Sequence, residues 1–254
     1  MKLRGQTAIV TGGGSGIGRA TVLALALEGA QVAVADIATE NAKRVRDEAT
    51  DSGFAPAMAY TVDLTKRCEV EEMVKTVLGE LGQIDVLVNC AGWDRLEPFI
   101  ESNEETWDKI IAINFKSVLH TTKAVLPHMI ARSSGKIVNI ASDAGRVGSS
   151  WEAVYSGTKG AVIAFSKTLA REMARYKINV NVVCPGMTET PLMQAIRAQS
   201  EQTAKIVDAV IKATPLRRVA KPEEIAAMVL FLASRDSDFM TGQTISVSGG
   251  LTMV

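Results

Sequence analysis

Residues 7–18 read TAIVTGGGSGIG. A short run of β-type residues, Thr7–Val10, passes without a break into a turn with five glycines in the seven positions from Gly12 to Gly18. A glycine turn lets the backbone close around a pyrophosphate, and the helix after it offers free N–H groups to the same anion. Strand, glycine turn and helix in that order open a dinucleotide-binding unit of a doubly wound α/β fold. The spacing is TGxxxGxG and not GxGxxG, because Ile17 stands where the latter needs glycine. Gly12, Gly16 and Gly18 are the fixed glycines, with Ser15 and Ile17 between them as the other candidate cofactor contacts.

Outward from this turn, short apolar runs alternate with longer helical patterns to the end of the chain. Strands are expected at Gln31–Ala35, Ala57–Thr61, Ile84–Val88, Lys136–Ile140, Ile178–Val183 and Thr244–Val247. Helices are expected at Ser15–Glu28, Thr39–Ser52, Lys66–Leu81, Ala153–Arg175 and Pro222–Ser234. Glu104–Ser133 reads as one helical tract of two consecutive helices, and Thr190–Ala213 as one or two. Strands this apolar are buried on both faces, which requires helices on each side of a parallel sheet. The expectation is an α/β fold of one Rossmann-type domain over 1–254, with about seven parallel strands. A helical segment near 187–215 is expected to cover the substrate.

The 254 residues carry 28 Lys+Arg and 28 Asp+Glu, a formal net charge of zero. That balance argues against nucleic acid or an anionic membrane as a general partner. Cys68, Cys90 and Cys184 are scattered and odd in number, which suits reduced thiols in a cytoplasmic protein. Two histidines, His120 and His128, and no ligand cluster give no metal site. The segment before Gly12 lacks a secretory apolar stretch, and the run Thr21–Leu27 is too short to span a bilayer.

Asp36 closes the second strand, where an acid meets the adenosine ribose 2′-hydroxyl and repels a 2′-phosphate. No arginine follows at once, so NAD is expected over NADP. Asp36 could also serve as an N-cap for the next helix. Tyr155 and Lys159 are four apart in YSGTK and share one helix face. An ammonium beside a phenol favours the phenolate and equips it as an acid/base. Ser142 would hold the reacting oxygen.

Together these residues resemble the short-chain dehydrogenase/reductase family. The marks run through the chain: TGGGSGIG at 11–18, Asp36, Asp63 in VDLT, NCAG at 89–92, Asn114, Ser142, YSGTK at 155–159, and PG at 185–186 followed by Thr188. The resemblance implies Tyr155 as catalytic acid/base, with Lys159 lowering its pKa and holding the nicotinamide ribose. It implies Ser142 as the substrate-oxygen donor and Asn114 as holder of a water linking Lys159 to solvent. Asp63 with Leu64 would meet the adenine, and Asn89, Ala91 and Gly92 would line the cofactor. Thr188, beyond Pro185 and Gly186, would meet the carboxamide. Cys90 departs from the frequent NNAG of the family.

Longer stretches, AGWDRLEPF at 91–99 and NIASDAGRVGSSWEAVYSGTKG at 139–160, resemble the branch that oxidises alicyclic β-hydroxyacyl-CoA esters of the 2-hydroxycyclohexanecarboxyl type with NAD. That implies degradation of aromatic and alicyclic acids and a CoA thioester as small-molecule substrate. Trp93, Asp94, Arg146, Val147, Glu152, Met187 and Met193 would surround it. Arg146 would meet the thioester end or, equally, be a surface or subunit contact. Arg197 and Lys205 could close over an anionic ester, or belong to a solvated helix face. A 3-oxoacyl-thioester reductase and a non-enzymatic NAD-binding regulator are the competing readings. By family a homotetramer is expected.

Overall fold

The computed structural model describes residues 1–52 and 55–254. Seven strands, β1 (Thr7–Thr11), β2 (Gln31–Asp36), β3 (Ala57–Thr61), β4 (Val86–Asn89), β5 (Gly135–Ile140), β6 (Ile178–Pro185) and β7 (Thr244–Val247), form one sheet in the order β3-β2-β1-β4-β5-β6-β7. Every pairing is parallel. Ten α-helices are found among the described residues. They are α1 (Gly16–Leu27), α2 (Thr39–Ser52), α3 (Arg67–Leu81), α4 (Glu104–Ile111), α5 (Ser117–Arg132), α6 (Ala144–Val147), α7 (Ala153–Met173), α8 (Pro191–Arg197), α9 (Glu201–Ala213) and α10 (Pro222–Ala233).

The strands alternate faces, and both faces are apolar. Ala8, Val10, Val32, Val34, Val86, Val88 and Val138 pack in one cluster with α1, α2 and α10 residues. Ile9, Ala33, Leu87 and Ile137 point the other way, against side chains of α3, α5 and α7. Each buried aliphatic side chain contributes about 1.5–3 kcal/mol, so this two-sided core explains why consecutive strand positions are all hydrophobic. The strand order reverses between β1 and β4, and a crevice opens there at the carboxyl ends of the strands.

Two strand boundaries move by two residues from expectation, and the other strand ends by at most one. The fourth strand starts at Val86 and not Ile84, whose N–H donates to His128 Nε2 at 3.2 Å instead of to a neighbouring strand. The sixth runs on to Pro185, because Val182 to Pro185 pair with β7. The tract expected over Glu104–Ser133 stays helical as far as Arg132, but α4 and α5 are joined by one π-helical turn, Ala112–Lys116.

Candidate active site

A cavity of about 1290 Å³ lies over the carboxyl ends of the strands. Its first wall is the turn between β1 and α1. Gly12 and Gly16 have positive φ, 62° and 52°. A Cβ on Gly18 would stand 2.0 Å from the Gly12 carbonyl oxygen, and one on Gly12 would stand 2.8 Å from Ala91 Cα. Ser15 at the N-cap of α1 makes no side-chain cap bond, so the first N–H groups of that helix stay open toward the cavity. This cradle fits a pyrophosphate.

Asp36 ends β2 on the same wall. Its Oδ2 accepts the Gly14 N–H at 2.8 Å, and its Oδ1 accepts the Ala38 N–H at 2.9 Å. The carboxylate is thus fixed by the turn it adjoins. Asp63 and Leu64 line the cavity farther along. Asp63 accepts both the N–H and the hydroxyl of Thr65, at 3.0 and 2.6 Å, and chiefly the hydroxyl holds its carboxyl below the usual range. Pro185, Gly186 and Thr188 follow β6 along the opposite rim, with the Thr188 hydroxyl donating to Gly186 O at 3.0 Å.

The chemistry-bearing set comes from β5 and α7. Lys159 Nζ donates to the Ile140 carbonyl at the end of β5 (3.0 Å) and stands 5.5 Å from the Tyr155 ring centroid. Ser142 follows β5, and its Oγ accepts the Ala144 N–H at 3.1 Å. Burial lowers the Lys159 ammonium to about 8. The Tyr155 phenol shifts the opposite way. Burial pushes that phenol up, the carboxyls of Asp94 and Glu152 add to the effect, and only the Ser142 hydroxyl opposes it appreciably.

Two expectations need correction. Asn89 does not line the cavity; its side chain is buried, accepting Thr121 Oγ1 at 2.7 Å and donating to Asn139 Oδ1 at 2.8 Å. Cys90 lines the wall in its place. Arg146 turns away, donating to Ser246 Oγ at 2.8 Å on β7, and does not line the cavity. Asn114 is fully buried in the π turn. Its amide hydrogens go to Trp93 O (2.6 Å) and Ile110 O (2.9 Å), and its Oδ1 accepts Trp93 N–H at 3.2 Å. One lone pair of Oδ1 is left, beside Gly92, where a Cβ would stand 3.1 Å from that oxygen and 3.5 Å from Lys159 Nζ.

Around the remaining space stand Trp93, Asp94, Val147, Glu152, Met187 and Met193. Sequence reasoning missed the apolar face of α9, where Ile206, Val207 and Val210 close one side. It also missed Lys109, whose ammonium lies 4.0 Å from the Trp93 ring centroid at the cavity rim. The 3.6-residue apolar spacing of 206, 207 and 210 was the available signal for the first. Two cations of the cover are paired: Arg197 with Asp208 at 2.9 Å and Lys205 with Glu201 at 2.7 Å.

A family model described as enoyl-(acyl carrier protein) reductase matches residues 12–252. The chain is 40% identical to a 3-oxoacyl-[acyl-carrier-protein] reductase of Thermotoga maritima, over the full length of both. It superposes on NAD+-bound xylitol dehydrogenase with a TM-score of 0.93 at 32% identity, covering 98% of this chain and 100% of that one. Levodione reductase gives the same TM-score at 28% identity, over 98% of each chain.

Proposed function

The chain belongs to the short-chain dehydrogenase/reductase family, oxidoreductases that act on CH–OH groups with a nicotinamide cofactor, and from that premise we propose that it interconverts a β-hydroxyacyl thioester and its β-ketoacyl form with NAD. The observation that carries the choice of NAD is Asp36, held by Gly14 and Ala38 at the rim where the ribose of the adenosine half would lie. A fixed anion there accepts a ribose hydroxyl and repels a 2′-phosphate. Gly12, Ser15, Gly16, Ile17 and Gly18 would hold the pyrophosphate, Asp63 and Leu64 the adenine, and Thr188 the carboxamide. Bound NAD supplies the hydride acceptor.

The protein's own part is to hold the alcohol and move its proton. Ser142 and Tyr155 converge on the cavity and would grip the alcohol oxygen between two hydroxyls. Tyr155 takes the proton in oxidation and returns it in reduction. Lys159, poised at about 8, is the next proton carrier and would hold the nicotinamide ribose. The lone pair left on Asn114 Oδ1 would hold the water that links Lys159 outward.

An acyl thioester suits the rest of the cavity. Trp93, Val147, Met187, Met193 and the α9 face offer an apolar floor, and Lys109 offers a cation at the rim for the anionic carrier. The alicyclic branch, 2-hydroxycyclohexanecarboxyl-CoA and its relatives, is the form we favour, because the wall is broad and apolar. The reductive direction on a 3-oxoacyl carrier thioester is the second reading, favoured by the relative in Thermotoga maritima. NAD and NADP turnover with alicyclic and straight-chain β-hydroxyacyl-CoA esters tests both. Oxidation with NAD at kcat/KM at least tenfold above NADP is expected. Preference for NADP would overturn the role of Asp36, and indifference to the CoA moiety would overturn the thioester.

A further inference from the structure

β4, β5, β6 and β7 lie side by side in the sheet, and residues that follow each of them line the cavity. Trp93 follows β4, with the Lys109 ammonium 4.0 Å from its ring centroid. Ser142 follows β5, Met187 follows β6, and Leu251 and Thr252 follow β7. The reacting centre at Ser142 and Tyr155 thus stands between a side that carries a cation and a side without charge. Among the described residues, no charged side chain beyond Lys159 lines the cavity. The turn that carries Leu251 is built against the cover. Gly249 and Gly250 have φ of 62° and 86°, left-handed backbone that bends the chain away from the line of β7. A Cβ on Gly249 would stand 2.9 Å from Thr214 Cγ2, and one on Gly250 would stand 3.0 Å from Pro215 Cγ, so both glycines press on the exit of α9. Gly249 O accepts the Leu216 N–H at 3.1 Å, and the Leu251 N–H donates to Ser248 O at 3.2 Å. On its other side the turn meets the end of β6, where the Gly186 N–H donates to Val247 O at 3.1 Å. Leu251 is half-buried, and among the described residues it belongs to none of the apolar clusters that cover the sheet. It lines the same space as Val210 and Ala213 of α9.

We propose that Leu251 is a specificity-determining residue that ends the space for the acyl chain and so sets how long a chain the site accepts. This inference rests on reading the cavity as the site of a β-hydroxyacyl thioester. The reacting carbon of such a substrate carries two arms. One leads through the thioester carbonyl to the carrier, and the other is the alkyl end of the acyl group. An anionic carrier takes the side of Lys109, which leaves the alkyl arm the uncharged side, toward Met187, α9 and the turn after β7. The alkyl arm gains with each methylene it buries until it meets a wall that cannot give. Leu251 is such a wall, because the glycines before it seat the turn on Thr214 and Pro215 and leave its backbone no room to withdraw. A larger or smaller side chain at 251 moves the stop, while the acid/base set on β5 and α7 keeps its own supports.

The test is the ratio of kcat/KM for methyl 3-hydroxyoctanoate to that for methyl 3-hydroxybutanoate, both racemic and both with NAD. Leu251→Ala should raise this ratio about tenfold, and Leu251→Trp should lower it about tenfold, the lower end of what one methylene decides in an apolar pocket. Because each ratio is taken within one enzyme, a loss common to both substrates cancels. A purely structural role for Leu251 would move the two variants the same way or leave the ratio alone, and either result would overturn the proposal. Hexyl 3-hydroxybutanoate lengthens the other arm, and its ratio to the methyl ester should stay the same in all three enzymes. If that ratio responds and the acyl-chain ratio does not, Leu251 faces the carrier arm and the proposal is overturned. Acyl-chain ratios that shift as expected while CoA thioesters gain nothing over methyl esters would retain Leu251 and remove the thioester reading. Absence of turnover with every 3-hydroxy ester and thioester would overturn both.

Discussion

Tyr155 is surrounded by groups that keep its proton in place. Its phenol is recessed, and Asp94 and Glu152 face it from the wall. A base of this kind needs its proton taken or supplied in the reacting complex itself, so nothing else in the cavity replaces it. Tyr155→Phe should lower turnover about 10³-fold or more, while NADH binding measured by fluorescence is retained; near-normal turnover would remove the acid/base role. Asp94 makes a second, thermodynamic prediction. Its carboxyl is raised in the folded chain, so its contribution to stability is present below the unfolded value near 4 and is lost as pH rises through about 8. Asp94→Asn should therefore melt about 3–6 °C above wild type at pH 8.5, with the difference shrinking steadily as pH falls and vanishing below pH 4, by calorimetry. Tyr155, Lys159 and Ser142 were legible because helical spacing and chemistry name them. The joint effect of Asp94 and Glu152 on Tyr155 was not, because 58 positions separate the two carboxyls and only the fold brings them to one cavity.

At the scale of elements, the nucleotide cradle was legible since a glycine turn between strand and helix has few other uses. Gly18 shows how tight it is. A Cβ there would lie 2.0 Å from Gly12 O and 2.7 Å from Gly12 C, backbone atoms that cannot move without opening the turn. Gly18→Ala should weaken NADH binding at least tenfold in a fluorescence titration, with Tm lowered as well; unchanged binding would show that the turn yields. The join of α4 to α5 was less legible. Its π turn inserts an extra residue into the ladder, which rotates Asn114 inward to clamp Trp93. Periodicity over 104–133 shows a helix but not a one-residue slip inside it. Asn89 and Arg146 were misread for a related reason. Strand direction and loop path decide which face a side chain takes, and in this chain Asn89 joins an interior chain of amides while Arg146 braces β7.

For the whole molecule, seven parallel strands were legible because every strand is apolar on both faces, and the crossovers leave one way to wind them. What the sequence leaves unstated is how the sheet ends. Among the described residues β7 is an edge strand, hydrogen-bonded to β6 alone, and all four of its residues are half-buried. Nearby in sequence, Phe239 is fully exposed, and the chain closes with Met253 and Val254, 79% and 72% exposed. An open edge and exposed apolar side chains are features that proteins normally cover. Two-fold pairing of such edges, combined with a second two-fold contact, gives a tetramer of D2 symmetry. Light scattering should accordingly return a mass of about 108 kDa, four times the 27.1 kDa chain. Phe239→Asp, which introduces a charge between α10 and β7, should shift that mass toward the dimer or monomer, with circular dichroism unchanged. A wild-type mass of one chain would show that the β7 edge stands open in solution.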